Sequence, residues 1–277
     1  MRVGFIGGGY MGEAIVNAAL KAGFAAAPGD IAVSDVAAAR RQHLASTYNV
    51  SVTVSNVEAA RRGEIIVLAV KPQEFDSIAP ELRGELDTSQ VVLSIMAGVP
   101  LEQVVSGLGH RAVARAMPNT AAFVREAMTV WTAAKELSDQ GRAAVADLLR
   151  ALGREVYVAD EKYLDMATAL SGSGPGFVFL FLEALIDAGV HIGLRRDIAS
   201  ELAIQTMFGS AMLARETGKH PAELRNMVTS PGGTTAEGLK ALEEAGLRGT
   251  VLGAIEAAYE RAKDLAGVKE PGTEPGT

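Results

Sequence analysis

Two hydrophobic patterns divide the chain. Up to about residue 158, short apolar runs alternate with stretches whose apolar residues recur at helical spacing. Arg2–Ile6, Ile31–Asp35, Val50–Val54, Glu64–Val70, Val91–Ile95 and Ala112–Ala116 read as buried strands; Thr129–Thr132 closes the sheet and Arg154–Val158 is a candidate last strand. Glu13–Ala22 and Ser138–Leu152 are helices, the second with Val145, Leu148, Leu149 and Leu152 on one face. Strands alternating with helices predict a doubly wound parallel α/β sheet. After Ala159 no convincing strand remains, and Asp160–Leu170, Phe177–Ile192, Asp197–Glu216, a short segment from Pro221, Ala236–Glu244 and Thr250–Ala266 all read as helix. Ser171–Gly176 breaks the first of these. Phe177–Ile192 is apolar on nearly every face and must be buried on all sides, which predicts a homodimer that packs helices around it.

The first strand runs straight into Gly7, Gly9 and Gly12, the G-x-G-x-x-G spacing, and then into a helix. Gly7 permits the tight turn, Gly9 lets backbone approach a pyrophosphate, and Gly12 lets helix and strand sit close. The helix start offers unpaired N–H groups to the anion. The pattern predicts a dinucleotide-binding, Rossmann-type domain over 1–158, an all-α dimerisation and substrate domain over 159–266, and a disordered tail over 267–277, rich in glycine, proline and glutamate. Asp35 stands where an acid takes the adenosine ribose hydroxyls, which favours NAD; Ser34, Arg40 and Arg41 are candidate receivers of the extra phosphate of NADP. Asn56 stands at an N-cap position and reads either as a cap alone or as an amide placed beside the cofactor. Lys71, Met96–Val99 and Met117–Thr120 follow three strand ends on one rim, where such sheets bind ligands.

A second candidate anion site lies in Val228–Ala236, where Thr229, Ser230, Thr234 and Thr235 interleave with Gly232 and Gly233 just ahead of a helix. Composition narrows the rest. The 277 residues are 48% apolar and 21% charged with a net charge of −7, a globular balance that disfavours a nucleic-acid or anionic-membrane surface. There is no cysteine, so thiolate catalysis and disulfides are excluded. The four histidines, His43, His110, His191 and His220, show no metal-ligand spacing, and no metal is expected. Glu183 and Asp187, four apart on one helix, read as solvated or salt-bridged. A strand at the very N-terminus leaves no room for a signal peptide, and the run Phe177–Leu182 is too short and its flanks too charged to span a bilayer, so a cytoplasmic protein is expected.

From Met1 to about Leu265 the sequence resembles the pyrroline-5-carboxylate reductase family. The motifs that carry the resemblance are Gly7–Gly12, Ala69-Val70-Lys71-Pro72, Met117-Pro118-Asn119-Thr120, Ala169–Pro175 and Val228–Thr235. It implies reduction of the cyclic imine Δ1-pyrroline-5-carboxylate to L-proline by NADPH or NADH, a homodimer with the active site at its interface, and in some members a ring of dimers. It further implies that Ile6, Gly7, Gly8, Gly9, Tyr10, Met11, Gly12, Ser34, Asn56, Ala69, Val70, Lys71, Pro72, Met96, Ala97 and Gly98 line the cofactor. On the same analogy Glu161 sits near the substrate. Ser230, Gly233 and the N–H groups of Thr234 and Thr235 hold its carboxylate, and the Thr235 hydroxyl bonds the imine nitrogen. Three positions depart from the family pattern: Gly176-Phe177 stands for a common Ala-Tyr, Ala121 for a frequent proline, and Met227 for a polar residue.

The chemistry asks little of side chains, because the cofactor brings the hydride and a protonated imine is already electrophilic. A site of serine, threonine and backbone N–H groups suits it. Two other readings are weaker. A β-hydroxyacid-type dehydrogenase needs a catalytic lysine on a helix of the second domain, and Lys162, the only candidate near the boundary, has no asparagine following at helical spacing. A nucleotide-sensing regulator would have no use for the second glycine-rich loop.

Overall fold

The computed structural model of the chain describes residues 1–267; most of the tail expected to be disordered lies outside the described residues. The order is β1 (Val3–Ile6), α1 (Tyr10–Lys21), β2 (Ile31–Ser34), α2 (Ala38–Tyr48), β3 (Ser51–Thr53), α3 (Asn56–Arg62), β4 (Ile65–Leu68), α4 (Phe75–Leu82), β5 (Val91–Ser94), α5 (Leu101–Leu108), β6 (Val113–Met117), β7 (Ala127–Ala133), α6 (Asp139–Leu152) and β8 (Gly153–Tyr157). Helices follow: α7 (Lys162–Ala167), α8 (Gly174–His191), α9 (Arg196–Thr217), α10 (Pro221–Met227), α11 (Thr234–Glu244) and α12 (Leu247–Leu265).

One eight-stranded sheet has the order β3-β2-β1-β4-β5-β6-β7-β8. Val3 of β1 pairs with Ile31 and Ile65, and Ile6 with Ser34 and Leu68, so β1 lies between β2 and β4. One core contains Phe5, Ile15, Leu44 and Leu149; another contains Ile6, Phe75, Leu82 and Leu108. Strands β1 to β6 run parallel, but β7 is antiparallel to β6 and β8 is parallel to β7, which corrects the expectation of a wholly parallel sheet. The cause is local. Only residues 118–126 join β6 to β7, with one 3-10 segment at Thr120–Val124, too little chain for a crossover helix. The 14-residue α6 then supplies the crossover from β7 to β8.

The break expected at Ser171–Gly176 takes another form. α7 opens into a π-turn over Thr168–Gly172, where the Thr168 and Ser171 hydroxyls donate to the carbonyls of Leu164 (2.7 Å) and Ala167 (3.0 Å). Counted across that turn, Lys162–His191 is helix over 30 residues, and its most apolar 18-residue stretch has a mean hydropathy of 1.6; it is long and apolar enough to cross a membrane. The run Phe177–Leu182 taken alone understated it.

The chain forms two compact units. The first is Met1–Ser173 with the described residues from Ala258 on; the second is Gly174–Ala257. The sheet unit thus extends past the change of pattern at Ala159, because the buried Arg115 of β6 pairs with Glu161 (2.6 Å) and Asp165 (3.6 Å). Burial pushes the Asp165 carboxyl up, only partly opposed by Arg115. In the second unit α8 buries none of its residues within the chain, and Phe179 and Leu180 are 62% and 66% exposed.

A carboxylate inside the first unit ties α1 to α2. Glu13, 9% exposed, accepts from Arg40 (2.7 Å) and Tyr48 (3.0 Å) and bonds the His43 ring (2.7 Å). Burial raises its pKa, but the hydrogen bonds from Arg40, His43 and Tyr48 outweigh that and hold it below the usual carboxylate value. Burial and the Glu13 carboxylate push Tyr48 up. A depressed folded pKa contributes stability above the unfolded value and loses it as pH falls through the folded one. Glu13→Gln should therefore lower unfolding free energy at neutral pH by about 1–3 kcal/mol. The deficit should shrink on acidification below about pH 4. Urea melts across that range check it, and a pH-independent deficit would refute the assignment.

Candidate active site

The glycine turn is built by contact between backbones. Gly7 has φ +97°, its N–H donates to the Ser34 carbonyl at 2.9 Å, and a Cβ there would lie 2.6 Å from the Ala69 carbonyl oxygen. A Cβ on Gly12 would lie 2.6 Å from the Gly7 carbonyl oxygen. Gly9 differs: a Cβ there meets nothing within 4 Å. The protein itself requires the first and third glycines, while the second opens onto empty space. The first bond of α1 runs from Glu13 N to Gly9 O (2.9 Å), so the N–H groups of Tyr10, Met11 and Gly12 precede it. These features fit a dinucleotide pyrophosphate, which needs close backbone approach and donors at a helix start.

In front of Gly9 lies a cleft of about 340 Å³ lined by Gly7, Gly9, Ser34, Asp35, Val36, Asn56, Ala69, Val70, Lys71, Glu74, Ser77, Ile78 and Glu81. Ser34 is fully buried; its hydroxyl donates to Asn56 Oδ1 (2.7 Å) and lies 3.2 Å from the Phe5 carbonyl. Asn56 Nδ2 donates to Glu81 (2.9 Å). Asn56 is not the helix cap expected of it: Ser55 caps α3 by accepting from Glu58 N, which leaves the Asn56 amide to the cleft. Asp35 accepts from Gly8 N (2.9 Å) and Ala37 N (2.8 Å).

Of the residues expected to line the cofactor, Gly7, Gly9, Ser34, Asn56, Ala69, Val70 and Lys71 are brought together here. Ile6 and Met96 are buried in the core, Tyr10 stacks on Phe123, and Met11 packs against the first core cluster. Gly8 and Gly12 support the turn, Pro72 opens the segment after Lys71, and Ala97 precedes Gly98. Gly98 (φ +72°) faces a different neighbour, since a Cβ would lie 2.8 Å from the Leu265 carbonyl oxygen. Sequence reasoning missed Val36, Glu74, Ser77, Ile78 and Glu81. Residues 71, 74, 77, 78 and 81 share helical spacing, a signal that was available in the chain after β4.

Glu161 has two partners within the first unit. Its Oε1 accepts from Arg115 Nη1 (2.6 Å) and from the Leu101 N–H (2.8 Å), so it anchors the start of α5. Asn119 donates to the Ser171 carbonyl (3.0 Å) at the π-turn. In the second unit, Gly233 N donates to Ser230 O (3.1 Å) across Pro231 and Gly232 (φ +65°), the arrangement of a type II turn. α11 starts at Thr234, earlier than the expected Ala236, and its first bond is from Ala236 N to Gly233 O (3.0 Å). The Thr234 and Thr235 N–H groups lie ahead of that bond. Thr229 is spent on the Arg225 carbonyl (2.6 Å), while no hydrogen bond involves the hydroxyls of Ser230, Thr234 or Thr235 among the described residues.

A glycine turn at the switch point of a Rossmann sheet, with a separate helical unit that carries a hydroxyl- and amide-rich turn, defines a dinucleotide-dependent oxidoreductase. The family model for pyrroline-5-carboxylate reductase dimerisation matches residues 161–265, and that for NADP oxidoreductase, coenzyme F420-dependent, matches residues 2–98. The pyrroline-5-carboxylate reductase of Synechocystis sp. is 44% identical over 96% of this chain and 98% of the relative; that of Escherichia coli is 38% identical over 96% and 98%. The crystal structure of Plasmodium falciparum pyrroline carboxylate reductase with NADP bound matches with a TM-score of 0.87 at 31% identity, over 96% of this chain and 98% of that one. The chain belongs to the pyrroline-5-carboxylate reductase family.

The glycine geometry separates two kinds of damage. Gly9→Val should weaken NADH and NADPH binding by at least about tenfold with an unchanged melting temperature, because the new side chain fills ligand space. Gly7→Ala should lower both, because it strains a left-handed residue against Ala69. Calorimetric titration and thermal melts distinguish them; equal stability losses would refute the distinction.

Proposed function

We propose that the enzyme reduces Δ1-pyrroline-5-carboxylate to L-proline through two backbone-built anion sites. The cleft in front of Gly9 holds the dinucleotide, with its pyrophosphate on the N–H groups at the start of α1. The turn Ser230–Thr235 holds the substrate carboxylate through the Ser230 hydroxyl and the N–H groups of Thr234 and Thr235, with Gly233 keeping the approach clear. NAD(P)H, when bound, supplies the hydride to the carbon of the C=N bond. Thr235 donates its hydroxyl hydrogen bond to the nitrogen of the neutral imine and passes it the proton that balances the hydride, regaining its own from solvent; the transfer itself requires imine and nicotinamide face to face at about 3–3.5 Å. The observation that carries this reading is the pair of helix starts, α1 and α11, each preceded by a glycine turn with its first N–H groups unspent.

A homodimer completes the assembly, with a second copy covering the exposed apolar faces of α8, and a cytoplasmic location goes with it. The presence of a dimerisation domain supports the homodimer.

Thr235→Ala should lower kcat/KM for the imino acid by about 10²–10⁴-fold if its hydroxyl serves as the proton donor. Ser230→Ala should instead act mainly on KM. Steady-state oxidation of NAD(P)H measures both, and a loss below about threefold for Thr235→Ala would remove that role. Phe179→Glu should shift the sedimenting species from twice the 28.8 kDa chain mass towards the monomer, with loss of activity; an unchanged dimer would show that α8 is covered differently.

A further inference from the structure

The cleft that lies in front of Gly9 carries a selection that the names of the relatives do not state. Resting on its reading as the dinucleotide site, we infer that this chain selects NADH over NADPH, with Asp35 as the specificity-determining residue.

The two cofactors differ by a phosphate on the adenosine ribose, a group with about −1.5 to −2 charge at neutral pH. In a Rossmann sheet that ribose lies at the C-terminal end of β2. Here the end of β2 is Ser34, followed by Asp35. The Asp35 carboxylate is fixed by two backbone donors, Gly8 N at 2.9 Å and Ala37 N at 2.8 Å, so it cannot swing away from an arriving anion without giving up both. It retains acceptor capacity for ribose hydroxyls. Val36, the next residue lining the cleft, offers no positive charge and is 90% exposed.

The two arginines after β2 already bond the protein, Arg40 at the glycine turn and Arg41 at the backbone that follows Ser34. Arg40 donates to the Gly8 carbonyl through Nε (2.9 Å) and Nη2 (2.6 Å), and its Nη2 also pairs with Glu13 (2.7 Å). Arg41 donates through Nη1 to the carbonyls of Asp35 (2.7 Å) and Val36 (3.0 Å). Neither arginine lines the cleft. Lys71 does, but β4 is two strands from β2, about 10 Å across the sheet. The Ser34 hydroxyl is buried on Asn56, which in turn holds Glu81. The lining contains three carboxylates, Asp35, Glu74 and Glu81, against the single ammonium of Lys71. Such a field welcomes hydroxyls and repels a second phosphate.

Binding, not turnover, is the measurement that tests this, so it stands apart from the identity of the substrate. The full-length protein is titrated calorimetrically with NADH and NADPH, and separately with 5′-AMP and adenosine 2′,5′-bisphosphate. NADH should bind at least about tenfold more tightly than NADPH, with the fragments in the same order. Asp35→Ser should move the ratio towards NADPH by about tenfold or more. If that variant is destabilised by the lost Gly8 and Ala37 bonds, Val36→Arg provides the second reading, and should strengthen NADPH binding while Asp35 stays in place. NADPH binding as tight as NADH in the unaltered protein overturns the inference. So does a loss of NADPH affinity in Arg41→Ala, which would make that arginine the phosphate's partner, and so does failure of every probe to bind. Tight NADH binding without reduction of the imino acid would instead count against the proposed reaction and leave this selection standing.

Discussion

The contact between Gly7 and Ala69 governs the rim of the sheet. β1 lies between β2 and β4, and the chain leaving it must turn towards α1 while its neighbour β4 ends alongside. With φ +97° and the Ala69 carbonyl where a side chain would be, the turn stays flat against β4. The Gly7 N–H takes the Ser34 carbonyl from the other side, so β2 and β4 grip the same residue. A side chain there would push the turn outward, close the space before Gly9 and tilt α1 away from Ala69. Ligand space and core packing are thus set by one backbone geometry.

Glu13 shows how that geometry is held from behind. A carboxylate one residue past Gly12 is costly to bury unless it is paired and hydrogen-bonded. Arg40, His43 and Tyr48 supply this from α2 and its end, and Arg40 extends the network to the Gly8 carbonyl. The charged cluster therefore braces the glycine turn against α2. The same arginine is thereby committed to the Gly8 carbonyl and to Glu13.

What was legible in the sequence was what is local to it. Gly7, Gly9 and Gly12 followed a strand and opened a helix, and Pro231-Gly232 preceded a helix start; both turns stand where the residues demand. Less local features were missed. The reversal of β7 depended on the length of the connection 118–126, which residue pattern does not weigh. Asn56 looked like a cap because asparagine favours caps, but Ser55 is one residue earlier and bonds Glu58. The face of α4 that lines the cleft, with Ser77, Ile78 and Glu81, was missed although its helical spacing was available in the sequence. No sequence signal places Arg115, 46 residues from Glu161, within 2.6 Å of it.

The exposed apolar surface of α8 is the last constraint, and two environments satisfy a helix apolar on most faces: lipid or protein. Length and mean hydropathy alone do not separate them. Charge does. Asp187 pairs with Arg196 (2.9 Å), and Glu183 lines an apolar groove with Phe179, Leu180 and Ile186. A carboxylate near the centre of a bilayer costs about 2.5–3.5 kcal/mol, and a spanning helix would carry two within five residues here. Against another protein surface the same carboxylates can be paired or left at the edge of the contact while the phenylalanines are covered. The family model matched to 161–265 is a dimerisation domain, which agrees with the protein alternative. The apolar residues that make this segment resemble a membrane span are those that a second chain would bury.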